Sequence, residues 1–90
     1  MKSLGIDIEE LAERLDLPED ILLNSLKLSV TGGKRALVEN HRGILEYGSD
    51  RIVIAAKRGR LKMFGSELKI CAMNREALLI SGRINSMEWE

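Results

Sequence analysis

The chain is poor in the residues that usually announce chemistry. It has one cysteine, Cys71, and one histidine, His41. An internal disulfide is therefore excluded, and a conventional metal site has too few soft ligands. Only Tyr47, Phe64 and Trp89 are aromatic, so the core must be aliphatic and no face can carry a repeated stacking platform. Pro18 is the sole proline, and nothing after it forces a strand to an edge. No apolar run approaches the roughly 20 residues of a spanning helix, and Met1-Lys2-Ser3-Leu4 lacks the apolar stretch of a signal peptide. Lys and Arg balance Asp and Glu, which removes net charge as a pointer to nucleic acid or membrane. Ninety residues have room for one small core, and the chain reads as a cytoplasmic single unit.

The balance hides an asymmetry. Residues 1–25 carry a net charge of −5 and residues 26–90 carry +5. This predicts an acidic N-terminal arm on a basic body, with the boundary near residue 25. In the arm Ile8, Leu11, Ala12 and Leu15 recur at helical spacing, with Glu9, Glu10, Glu13 and Arg14 between them. Asp7 is placed to cap such a helix, and Pro18 ends the pattern. Glu19–Leu23 reads as one further short turn. So short an amphipathic helix needs its stripe covered, by its own body or by another chain.

From Leu26 the period becomes two. Leu26, Leu28 and Val30 alternate with Lys27, Ser29 and Thr31; Ile52, Ile54 and Ala56, then Leu61 and Met63, then Leu68, Ile70 and Ala72 continue in kind. Gly32-Gly33, His41-Arg42-Gly43, Gly48-Ser49-Asp50, Arg58-Gly59, Gly65-Ser66, Asn74 and Gly82 punctuate the runs. The expected fold is all-β: an antiparallel meander of seven or eight short strands, curled into a sandwich or a partly open barrel. Val53 and Ala55, and likewise Ala77 and Leu79, lie opposite core positions, so their strands are apolar on both faces. Ala77–Ser81, with no charge, is the expected site of self-pairing or of cover by the helix.

Two places attract a functional reading. Glu39 to Tyr47 (E-N-H-R-G-I-L-E-Y) reads as a hairpin with Gly43 at a positive φ. His41 could serve as a base only if a nucleophile or oxyanion device lay nearby, and none is evident. Asn40, His41, Arg42 and Tyr47 are instead candidates for contact with a partner. The second place is the group Lys57, Arg58, Arg60 and Lys62, gathered around one hairpin end beside Arg51 and Lys69. It suits phosphates, a negatively charged partner or an anionic membrane; a small basic nucleic-acid-binding barrel is the competing reading. Thr31-Gly32-Gly33-Lys34-Arg35 is a turn and no phosphate loop, and no cofactor motif occurs.

Further residues then carry a resemblance. Leu17-Pro18-Glu19-Asp20-Ile21-Leu22-Leu23 leads into Leu28-Ser29-Val30-Thr31-Gly32; the string from Val38 to Tyr47 follows, and Ile80-Ser81-Gly82-Arg83-Ile84-Asn85-Ser86-Met87 closes the chain. In order and spacing this resembles the YabP/YqfC family of sporulation proteins, nearest its YqfC branch, over residues 17–89. The resemblance implies a β-sandwich and a non-enzymatic protein of the mother cell in endospore-forming bacteria. It also implies a role in coat and cortex assembly, with no catalytic residues to transfer. Asn40, His41, Arg42, Gly43 and Tyr47 carry over as signature positions. The YqfC branch is encoded beside an inferred membrane protein, which implies a protein partner at the forespore outer membrane. Self-association stays open.

Overall fold

A computed structural model describes residues 4–7, 19–23 and 25–90. They form eight strands: β1 (Leu4–Asp7), β2 (Glu19–Leu23), β3 (Leu26–Thr31), β4 (Arg35–Glu39), β5 (Ile44–Tyr47), β6 (Arg51–Ala56), β7 (Gly59–Met73) and β8 (Ala77–Trp89). The expected all-β class stands. All pairings are antiparallel, and the strands build one open sheet in the order β2-β3-β4-β8-β7-β6-β5, with β1 also on β8. Hydrogen bonding runs unbroken from β2 to β5, where a sandwich of two separate sheets would interrupt it. Nor is the sheet a simple meander, because β4 lies beside β8.

The two longest strands explain how one sheet makes a closed core. At about 3.3 Å per residue, the 15 residues of β7 would run to roughly 50 Å if straight. The longest dimension of the fold is 30 Å. Both strands of the β7–β8 hairpin therefore bend, and the register shows where. Phe64 pairs with Ser86 but Gly65 with Ile84; Ser66 pairs with Arg83 but Lys69 with Ser81. The first shift leaves Asn85 unpaired and the second sets Glu67 and Leu68 against Gly82 alone; each extra residue kinks the ladder and raises its twist. At the bend the backbones leave no space for a side chain. A Cβ on Gly65 would collide with the Arg83 carbonyl, and one on Gly82, at φ +127°, with the Glu67 carbonyl.

The bend lets the two halves of the sheet share one core. Leu26, Leu28, Val30, Ala36, Val38, Leu78 and Ile80 come from the β3-β4-β8 half, and Ile52, Ile54, Leu61, Met63, Ile84 and Met87 from the other. The period of two places them there: β3 alternates buried and open positions from Leu26, and β4 does so from Ala36. Each fully buried Leu or Ile contributes about 1.5–3 kcal/mol.

Several expectations need correction. Gly65-Ser66 and Gly82 do not separate strands but bend them, so runs that read as four short strands are two long ones. Glu19–Leu23, read as a helical turn, is a strand paired with β3 over Glu19↔Val30 to Leu23↔Leu26. Leu4–Asp7 likewise pairs with Ser86–Trp89. Both pieces of the supposed arm thus join the sheet of the body; the helix expected over Ile8–Leu15 lies outside the described residues. Ala77–Ser81 is no pairing edge, because β4 occupies one side of it and β7 the other. Val53, on the face away from the core, is 2% exposed. Its cross-strand neighbours are Glu46 and Lys62, long side chains whose stems can shade it.

Candidate functional site

The segment Asn40–Gly43 is not the hairpin turn its residues suggest. β4 already has β3 on one side and β8 on the other, so β5 cannot fold back onto it. Instead the segment crosses from one half of the sheet to the other. The Asn40 amide donates to the Glu76 carbonyl at 2.7 Å, in the β7–β8 turn. Two residues later the Arg42 amide donates to the Ala55 carbonyl at 2.7 Å, and the Ala55 amide to the Gly43 carbonyl at 2.9 Å. The Asn40 side chain donates to the Ser25 carbonyl at 3.1 Å, ahead of β3. Four separated stretches of chain meet here.

His41 sits at the centre and is the buried polar residue among the described residues, 8% exposed. The Gly43 amide donates to its Nδ1 at 3.0 Å. Nδ1 is therefore the unprotonated nitrogen, and Nε2–H donates to the Asn74 carbonyl, also 3.0 Å away. Asn74 is itself held, its Oδ1 accepting the amides of Glu76 and Ala77. Both imidazole nitrogens are consumed by backbone groups. The residue that most resembled a catalytic base is a staple.

The crossing chain needs left-handed backbone at two points, Asn40 at φ +66° and Gly43 at φ +120°. Asparagine tolerates the first; glycine suits the second. The expected positive φ of Gly43 is present, in a crossover and not a hairpin.

Around this staple opens a groove of about 600 Å³ lined by Ser25, Asn40, His41, Arg42, Gly43, Lys57, Arg75 and Glu76. Its three cations, Arg42, Lys57 and Arg75, make no ion pair among the described residues. Glu76 is its one acid.

The other sequence candidates divide. Lys57 and Arg58 form the two-residue turn between β6 and β7, bounded by the pair Ala56↔Gly59, but only Lys57 lines the groove. Arg60 and Lys62 lie on β7 and face Glu90, whose carboxylate is 3.6 Å from the Arg60 Nε and 2.6 Å from the Lys62 Nζ. The hydrogen bond from Lys62 holds the Glu90 carboxyl below the usual carboxylate range; desolvation opposes it, and the charges of Lys62, Arg60 and Arg51 add to it. Tyr47 is at the far end of β5. It is 57% exposed, and its hydroxyl accepts the Ile70 amide at 3.1 Å. With the Ser49 carbonyl taking the Leu68 amide, it covers part of the β7 edge that β6 leaves unpaired. Sequence reasoning missed Ser25, Arg75 and Glu76. Asn74 gave a turn signal, but nothing local placed that turn against His41. Among the described residues no three of His, Cys, Asp and Glu gather as a metal site, and no helix is long and apolar enough to cross a membrane.

Fold and groove together define a small all-β protein built on one bent sheet, with a cationic groove over a stapled crossover. The YabP family model matches residues 23–90, and the chain belongs to that family. It is 25% identical over 79 residues to a Bacillus subtilis (strain 168) protein called "Uncharacterized protein YqfC", across 88% of this chain and 85% of that one. No solved structure matches.

Proposed function

We propose that this protein is a non-enzymatic assembly factor of sporulation. It acts in the mother cell, at the forespore outer membrane, as an adaptor between proteins that build the coat and cortex. Family membership supports the setting, through the role that the resemblance implies for YabP/YqfC proteins. The observation that carries the mode of action is the groove. Signature residues Asn40, His41 and Arg42 line it together with Lys57 and Arg75; its three cations, Arg42 among them, lack carboxylate partners among the described residues, and the imidazole is fully engaged with backbone. Such a surface can hold a partner, and its histidine has no nitrogen left for proton transfer.

The test is affinity purification from sporulating cells after crosslinking, with membranes solubilised, beside the spore phenotype of a deletion. Recovery of a membrane-associated protein and defective coat or cortex are expected. A deletion with normal spores and no recovered partner would remove the adaptor reading.

A further inference from the structure

Resting on that reading, we infer that the groove receives an extended acidic peptide segment of the partner protein, its carboxylates reaching Arg42, Lys57 and Arg75. Three features of the groove select this chemistry. The first is charge: three cations against Glu76 alone, set on three different stretches of chain around one depression. Carboxylates spaced along a strand can meet cations that come from separate stretches of chain.

The second is where the backbone donors go. A phosphate cradle is made of free amides. Here the amides of Asn40, Arg42 and Gly43 are bound to the Glu76 carbonyl, the Ala55 carbonyl and His41 Nδ1. With those three amides spent, the positive charge the groove offers a ligand is on the long side chains of Arg42, Lys57 and Arg75, which suit spread carboxylates better than one phosphate.

The third is the lack of a stacking surface. Tyr47, Phe64 and Trp89 do not line the groove, so a single-stranded nucleic acid would find backbone attraction and no place for its bases. Glu76 adds a local repulsion toward a uniformly charged polyanion. A peptide, in which acids alternate with neutral residues, avoids it. Along an extended strand every second side chain points the same way, about 7 Å apart, which brings successive carboxylates to one face.

The experiment uses the full chain and fluorescence anisotropy at low salt. The probe is a short fluorescein-labelled peptide with glutamate at every second position. A peptide with glutamine in those positions and a labelled single-stranded DNA accompany it. Saturable binding of the glutamate peptide is expected, at least about tenfold tighter than its glutamine counterpart. Substituting Arg42→Ser, Lys57→Ser and Arg75→Ser together is expected to weaken it at least about tenfold. Lys34→Ser, Arg35→Ser and Lys69→Ser together make the same charge change away from the groove, and should leave affinity within about threefold. All six positions are exposed, and equal urea midpoints confirm that both variants fold. Absence of saturable binding, equal loss in both triple variants, or tighter binding of the DNA would each overturn the assignment. The adaptor reading fails separately. A cellular partner whose capture survives the groove variant removes the groove and leaves the adaptor; no partner with either protein removes the adaptor itself.

Discussion

Replacing His41 with alanine tests whether the signature segment holds the fold together. The change deletes a side chain that is 8% exposed and leaves the Gly43 amide and the Asn74 carbonyl, each bonded at 3.0 Å, without a protein partner. Each lost hydrogen bond costs about 0.5–1.5 kcal/mol net, and more if water cannot replace it. The groove lies alongside, so water can reach part of the vacated space. With the lost packing of the ring, the sum is about 2–4 kcal/mol. A domain of this size holds about 5–13 kcal/mol in all. The urea midpoint, followed by Trp89 fluorescence, should fall by about 1–2 M for a slope of about 2 kcal/mol/M. Any phenotype of the variant in cells would then follow protein abundance, since losses of this size change the folded population. A companion variant separates packing from bonding: His41→Phe keeps the ring and loses both bonds, and should recover only part of the midpoint. A His41→Ala protein within about 0.5 kcal/mol of the parent would refute the staple, and the segment would then owe its signature to partner contact alone.

Other perturbations probe other links. Gly82→Ala should destabilise by about 3 kcal/mol or more in urea unfolding, because its methyl meets the Glu67 backbone at φ +127°; a mild effect would mean that the hairpin is straighter there. Gly43→Val has open space around it and only a positive φ to resist it, so about 1–3 kcal/mol is expected in the same assay. Tyr47→Phe removes the acceptor of the Ile70 amide; hydrogen exchange at Ile70 should accelerate while the midpoint moves by less than about 1 kcal/mol, since the site is open to water. Glu90 is held below its unfolded-chain value by Lys62. Its contribution is whole above that unfolded value and is lost as pH falls through the lowered folded value. Lys62→Gln should therefore flatten the acid side of the stability profile and move the Glu90 carboxyl resonance toward the usual range in a pH titration followed by NMR.

Alternation from Leu26 to Ala72, with glycine-rich punctuation, was enough to name the class and most of the core, because a period of two has one stable use, a pleated surface with one face buried. Leu26, Leu28, Val30, Ile52, Ile54, Leu61, Met63 and Leu68 are all at or below 4% exposure. The signature string, too, was visible as residues. What the order of residues could not convey was which glycine turns the chain and which bends it. Gly32-Gly33 and Gly65-Ser66 look alike locally, yet the first closes a hairpin and the second kinks one long strand; the difference lies in the backbone that crosses each, Arg83 in the case of Gly65. The same holds for Glu19–Leu23, where pairing with β3 overrides a sequence that reads as helical.

Local spacing determined the chemistry available to this protein: aliphatic side chains for a β core, one imidazole, and basic residues scattered over the later two-thirds. Tertiary structure decided their uses. It took β4 out of reach of β5, turned an apparent hairpin into a crossover, spent both nitrogens of His41 on backbone, and matched Arg60 and Lys62 to Glu90. Arg42, Lys57 and Arg75 came to share a groove although more than thirty positions separate the first from the last. Periodicity is a property of neighbours along the chain, whereas a charge or a hydrogen bond is satisfied by whatever the fold brings alongside.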